Sequence, residues 1–102
     1  MSEEFKTMET PVPLEELLKD VDLKDKAKAY VLLKVEPIEI PVILEELAKI
    51  KNVVSADVVT GIYDIIVFLE GEDQNEIGKV VITKIHTIKG VREATTCIVV
   101  RI

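Results

Sequence analysis

Ile50-Lys51-Asn52-Val53, with Ala56 following, recurs later in the chain as Ile88-Lys89-Gly90-Val91, with Ala94 following. Each copy runs from the end of a helical pattern into a β-rich run, so the chain reads as two halves of one plan. Upstream of the first copy, Ile40, Ile43, Leu44, Leu47 and Ile50 recur at helical spacing. Pro41 suits the first turn of that helix, Glu45 and Lys49 are a favourable pair four apart, and Asn52 is placed to cap its end in a left-handed conformation. Before the helix, Ala29 to Glu36 is rich in Tyr, Val and Leu and is closed by Pro37, which predicts a first strand. Between the copies, Val53–Thr60 and Tyr63–Glu70 flank Gly61-Ile62, which predicts a hairpin with a tight turn in which Gly61 takes a positive φ. Asp73 with Glu76 marks a second helix start, and Ile77, Val81, Ile85 and Ile88 give its buried stripe up to Gly90. Val91 to Ile102 is the last strand. The order is β, α, β, β, α, β. Right-handed crossovers interleave two such units into an α+β ferredoxin-like sandwich, a four-stranded antiparallel sheet with both helices on one face.

At 102 residues the chain suits one core, with residues 28–102 as the folded domain and residues 1–27 as an N-terminal extension. Within the extension, Pro13 to Asp20 has the pattern of a short helix with Leu14, Leu17 and Leu18 on one face. Hydrophobic residues make up 48% and charged residues 31%, the balance of a globular protein and not of a low-complexity tract. No run approaches the ~18 apolar residues of a membrane span, and the start is acidic where a secretion signal is basic and then apolar. Cys97 is the single cysteine, which removes internal disulfides and thiolate clusters and fits a reducing, cytoplasmic compartment. The formal charge of −6 opposes direct nucleic-acid binding, which draws its affinity from Lys and Arg on phosphates. Abundant Lys, Glu, Ile and Val with no Trp is a bias associated with hot environments.

A sheet covered on one face by helices should be polar on the other, and here it is not. Tyr63, Ile65, Val67 and Leu69 share one face of their strand, yet Ile66 and Phe68 occupy the opposite one. The first strand repeats the pattern, with Val31, Leu33 and Val35 against Tyr30 and Leu32. In the last strand Ile98, Val100 and Ile102 oppose Cys97 and Val99. Apolar patches of several hundred Å2 are uncommon on monomers, so the expectation is a homodimer packed sheet on sheet.

Little in the sequence supports catalysis. His86 lies late on the second helix with no nucleophile near it in sequence, and Cys97 sits in a strand where lone cysteines are usually buried and inert. Glu45, Glu46, Glu72, Asp73 and Glu76 stand where helix caps and solvated faces want them, without a histidine at metal-ligand spacing. The expectation is therefore no catalytic residue, no metal and no cofactor. The basic and aromatic strand signatures of RNA-binding sheets and the paired cysteines of copper chaperones are missing as well. What remains is Thr60-Gly61-Ile62-Tyr63-Asp64 at the turn and Thr95-Thr96 on the last strand. A glycine turn beside a carboxylate and hydroxyls suits the carboxylate and ammonium of a free amino acid, and equally suits an ordinary turn with strand threonines.

Taken together, Ala29-Tyr30-Val31-Leu32-Leu33-Lys34-Val35, Asn52-Val53-Val54-Ser55-Ala56, Val59-Thr60-Gly61-Ile62-Tyr63-Asp64-Ile65-Ile66, Ile88-Lys89-Gly90-Val91 and Thr95-Thr96 fall in the order seen in one family. Residues 28 to about 102 resemble the effector-binding (RAM) domain of the Lrp/AsnC regulators. The resemblance implies dimers made through the sheets, often assembled into octameric or similar rings, with an amino acid held between dimers near the hairpin turn. Gly61, Tyr63 and Asp64 are carried over as ligand neighbours, with Thr60, Thr95 and Thr96 beside them and Asp73 as a weaker addition. The front departs from full-length members, because 27 residues with one short helical pattern cannot house the three packed helices of a helix-turn-helix domain. The resemblance is thus to stand-alone effector domains, which partner full-length regulators or sense amino acids themselves. Three other readings stand beside it: an ACT-like amino-acid-binding regulatory subunit, which shares the strand order, a dimeric α/β-barrel enzyme, and a structural oligomer without a ligand.

Overall fold

The computed structural model describes residues 26–102. The predicted helix at Pro13–Asp20 lies outside the described residues. The elements are β1 (Ala27–Val35), a short 3-10 turn at Pro37–Glu39, α1 (Ile40–Ala48), β2 (Val53–Val58), β3 (Ile65–Gly71), α2 (Gln74–Val80) with a π-helical continuation at Val81–Ile85, and β4 (Val91–Ile98). The strands form one sheet in the order β2-β3-β1-β4, and every neighbouring pair is antiparallel. This is the α+β ferredoxin-like arrangement expected from the sequence.

Alternation places the core. Ala29, Val31, Leu33 and Val35 of β1 and Ile65, Val67 and Leu69 of β3 are buried against Ile43 and Leu47 of α1 and Ile77, Val80, Val81 and Ile85 of α2 and its continuation. At ~1.5–3 kcal/mol for each buried aliphatic side chain, this single cluster is the main favourable term in folding. The sequence repeat has a structural counterpart: Val53 N–H donates to Ile50 C=O at 3.0 Å, and Val91 N–H donates to Ile88 C=O at 3.2 Å. Both helices therefore hand over to a strand through the same turn. At the second handover Gly90 has φ 98°, and a Cβ there would lie 2.6 Å from the Cβ of Glu39, so glycine is required for conformation and for space.

Four expectations change. The last strand ends at Ile98 and not Ile102, because its partner β1 begins at Ala27 and the final ladder bond is Val99 N–H to Lys28 C=O at 2.9 Å. The hairpin connection is the six-residue stretch Val59 to Asp64 and not a two-residue turn. Asp64 N–H is drawn to Leu33 C=O of β1 at 2.8 Å, while Val59 N–H closes the loop on Asp64 C=O at 2.8 Å. Gly61 does take a positive φ, 122°. On α1, Lys49 pairs with Glu46 at 3.1 Å and not with Glu45. Cys97 is exposed where burial was expected, since β4 is an edge strand and Cys97 lies on the sheet face without helices.

Candidate functional site: the hairpin end and the open sheet face

The open face is built by the alternate residues of the core strands. Tyr30 pairs with Phe68 and Leu32 with Ile66 across β1 and β3, and on the β4 side Tyr30 lies opposite Cys97 and Leu32 opposite Thr95. The Tyr30 and Phe68 rings pack at 4.9 Å between centroids, tilted by 35°. Tyr30 is nonetheless 46% exposed. Charge borders this apolar centre: Lys28 lies opposite Glu70, Asp57 opposite Ile66, and Lys34 Nζ stands 3.9 Å from Glu93 Oε1.

At one end of the face the hairpin connection meets the end of β1. Asp64 accepts a hydrogen bond on Oδ2 from Val35 N–H at 2.9 Å, where the β1–β4 register shifts between Lys34 and Val35. One carboxylate oxygen of this predicted ligand residue is thus already committed to the backbone. The neighbouring Tyr63 ring receives Lys34 Nζ at 5.8 Å from its centroid. Tyr63, Lys34 and Glu93 therefore form a row across three neighbouring segments. Sequence reading missed Lys34 and Glu93, and only their cross-strand register brings them together. Thr60 and Gly61 are exposed at the loop, as is Ile62 at 77%.

The remaining expected residues divide. Thr95 lies opposite Leu32 on the open face, whereas Thr96 lies opposite the fully buried Val31 and so belongs to the helix side. Within one chain the two hydroxyls cannot serve one face. Thr95 is also two strand spacings from Ile66, ~10 Å, and so does not touch the hairpin. Asp73 lies beyond the far end of β3, ~20 Å from the hairpin at about 3.3 Å per residue. There its side chain caps α2 by accepting Glu76 N–H at 2.8 Å, as the Asp73/Glu76 spacing predicts.

The same end holds a network absent from the sequence reading. Glu76 Oε1 accepts from Glu72 N–H at 2.7 Å, and Glu76 Oε2 accepts from the side-chain amide of Asn52 at 3.0 Å. The Asn52 amide also donates to Glu70 C=O at 3.0 Å, and Asn52, 7% exposed, is the one buried polar residue among the described residues. The Glu72 N–H and then the Asn52 amide hold the Glu76 carboxyl below its ordinary range against the opposing effect of burial, with Lys51 and Lys26 adding attraction. Among the described residues there is no group of three or more His, Cys, Asp or Glu able to hold a metal ion, and no helix long and apolar enough to cross a membrane.

A family model described as the Lrp/AsnC ligand binding domain matches residues 28–102. The chain belongs to the Lrp/AsnC family. Two uncharacterised HTH-type transcriptional regulators are similar to it. One, from Pyrococcus furiosus, is 33% identical over 73 residues, covering 69% of this chain and 49% of that protein. The other, from Pyrococcus abyssi, is 31% identical over 70 residues, covering 69% and 44%. The chain thus spans about half the length of the curated relatives it matches. Among solved structures, a Thermus thermophilus protein superposes with a TM-score of 0.71 at 26% identity, covering 74% of this chain and 95% of that one. Escherichia coli AsnC shares the fold with a TM-score of 0.70 at 22% identity, covering 94% of this Lrp/AsnC chain and 61% of its own.

Proposed function

We propose that this Lrp/AsnC chain is an amino-acid-responsive regulatory and oligomerisation module, not an enzyme and not itself a reader of DNA. The observation that carries the reading is the open sheet face, where Tyr30, Leu32, Ile66 and Phe68 form an apolar centre bordered by charged cross-strand neighbours. A second copy packed sheet on sheet would cover it, giving a homodimer and, through the hairpin ends, an octamer or larger ring. The effector is a free amino acid held where hairpins of neighbouring dimers meet, with Thr60, Gly61 and Tyr63 as its contacts and Asp64 as the group that sets the loop. A Neisseria meningitidis transcriptional regulator of the same fold, with a TM-score of 0.64 at 17% identity, has been solved as an L-Met complex, which supports the ligand class. Residues 28–102 serve as the effector-binding unit and residues 1–27 as an extension to it, in a cytoplasmic protein that acts on transcription through full-length regulators of the family.

Ligand binding shifts an assembly only if one assembly binds the ligand better than another. Calorimetric titration of the full chain with a panel of amino acids tests the reading. One or a few should bind saturably, and Tyr63→Ala should weaken binding by about tenfold or more. No saturable binding across the panel would leave a structural oligomer in its place. Asp64→Ala is a poor control here, since that carboxylate also holds the backbone of Val35.

A further inference from the structure

Among the described residues β2 is an edge strand, paired with β3 on one side only. Between it and the last turn of α1 runs an open groove of about 360 Å3, lined by Leu44 and Ala48 of α1 and by Val53, Val54, Ser55 and Ala56 of β2. Leu44, Val53 and Ala56 form its half-buried floor against the core, Ala48 and Ser55 are exposed, and Val54 is 55% exposed. Apart from the Ser55 hydroxyl, every lining side chain is aliphatic.

The occupant has to be narrow and is not a strand. The register of β2 on β3 slips between Val53 and Ser55 and leaves Val54 unpaired, and such a bulge turns an edge away from addition of another strand. A second copy is too broad, since a stable interface uses about 20–30 residues a side and this groove offers six. Its helical wall is one turn long, Leu44 to Ala48, ~6 Å. In the helical pattern at residues 13–20, Leu14, Leu17 and Leu18 make a ridge of that same length on one face. The segment also enters at the right place. The chain outside the described residues joins at Lys26, Lys26 and Val54 line one cleft of about 260 Å3, and Val54 continues into the groove. Extended, residues 21–25 reach ~17 Å, enough to cross that cleft. So short a tether holds the leucines at an effective concentration in the mM range.

We propose that residues 13–20 dock in this groove of the same chain, with Leu14, Leu17 and Leu18 set against Leu44, Ala48, Val53 and Val54. The docked segment is an internal cap on the β2 edge. It covers Val54 and leaves the open sheet face, on the other side of the sheet from the helices, free for a second copy. The inference does not depend on the effector reading of the hairpin.

The test uses the full chain labelled with nitrogen-15. A spin label on Glu16→Cys, in a Cys97→Ser background because Cys97 is exposed, should broaden the amide resonances of Leu44, Ala48 and Val54 most strongly and those of β4 least. Leu17→Ser with Leu18→Ser should remove that broadening and lower Tm by roughly 4 °C or more. Ala48→Gln, which sets a polar side chain in the groove at an exposed position, should release the segment in the same way. Combined, the segment and groove variants should lose less Tm than their separate losses added, as two sides of one contact do. No broadening at the groove, strongest broadening at Tyr30 and Thr95 instead, or losses that add would overturn the proposal. In a mixture of spin-labelled chain without nitrogen-15 and nitrogen-15 chain without spin label, the groove amides should stay sharp. Their broadening there would place the segment on a second copy and would also overturn it.

Discussion

Replacing Asp64 separates two roles that the sequence merges. Its Oδ2 accepts Val35 N–H at 2.9 Å, and Val35 is only 3% exposed, so the N–H has little access to water once the carboxylate is gone. Asp64→Ala removes a hydrogen bond to a charged acceptor and strands a donor, a loss of about 1.5–3 kcal/mol. For a domain of this size that lowers Tm by roughly 4–8 °C per kcal/mol. Asp64→Asn keeps a carbonyl oxygen of nearly the same reach and should lose less than about half as much. Thermal and urea unfolding of the three proteins, with hydrogen exchange at the Val35 amide, reads the difference. The alanine variant should expose that amide to faster exchange and the asparagine variant should not. Equal stability of all three, or an asparagine variant as damaged as the alanine, would refute the backbone role of Asp64.

Other perturbations read other parts of the molecule. Phe68→Asp places a charge beside Tyr30 on the open face, and if that face pairs copies, the dimer should weaken by about 2 kcal/mol or more, seen as a concentration-dependent fall in mass by sedimentation. Gly90→Ala meets both the positive φ and the Glu39 contact, and should cost more than about 1 kcal/mol by chemical denaturation; wild-type stability would mean that the turn relaxes freely. The Glu76 carboxyl lies below its ordinary value of 4.5 in the folded chain, so it stabilises the fold above that value and the contribution is lost as pH falls through the lowered value. Glu76→Gln should therefore flatten the acid limb of the stability profile, and an unchanged slope below pH 4.5 would remove the assignment.

The fold was largely legible in the sequence because its strongest signals are periodic and local. Ile43, Leu47, Ile77 and Ile85 are fully buried where helical spacing puts them, and the echo around Ile50 and Ile88 marks two equivalent turns. Boundaries were less legible because they depend on partners distant in the chain. The end of β4 is set by where β1 begins, and the length of the hairpin connection by the pull of Leu33 C=O and Val35 N–H on Asp64. The candidate site was only partly legible for the same reason. Thr95 and Thr96 read as a pair but alternate across the sheet, and Asp73, read as the start of the second helix, lies beyond the end of β3 away from the hairpin. Lys34, Glu93 and the Asn52–Glu76 contact come from cross-strand register and inter-turn packing, which no local pattern encodes.

The most direct test of the account is molar mass by light scattering for the full chain, alone and with each amino acid of a panel. The account predicts at least twice the 11.4 kDa chain mass without ligand and a change of mass, in one direction, with the amino acid that binds. A mass of 11.4 kDa under every condition, or an oligomer indifferent to every amino acid, would contradict it.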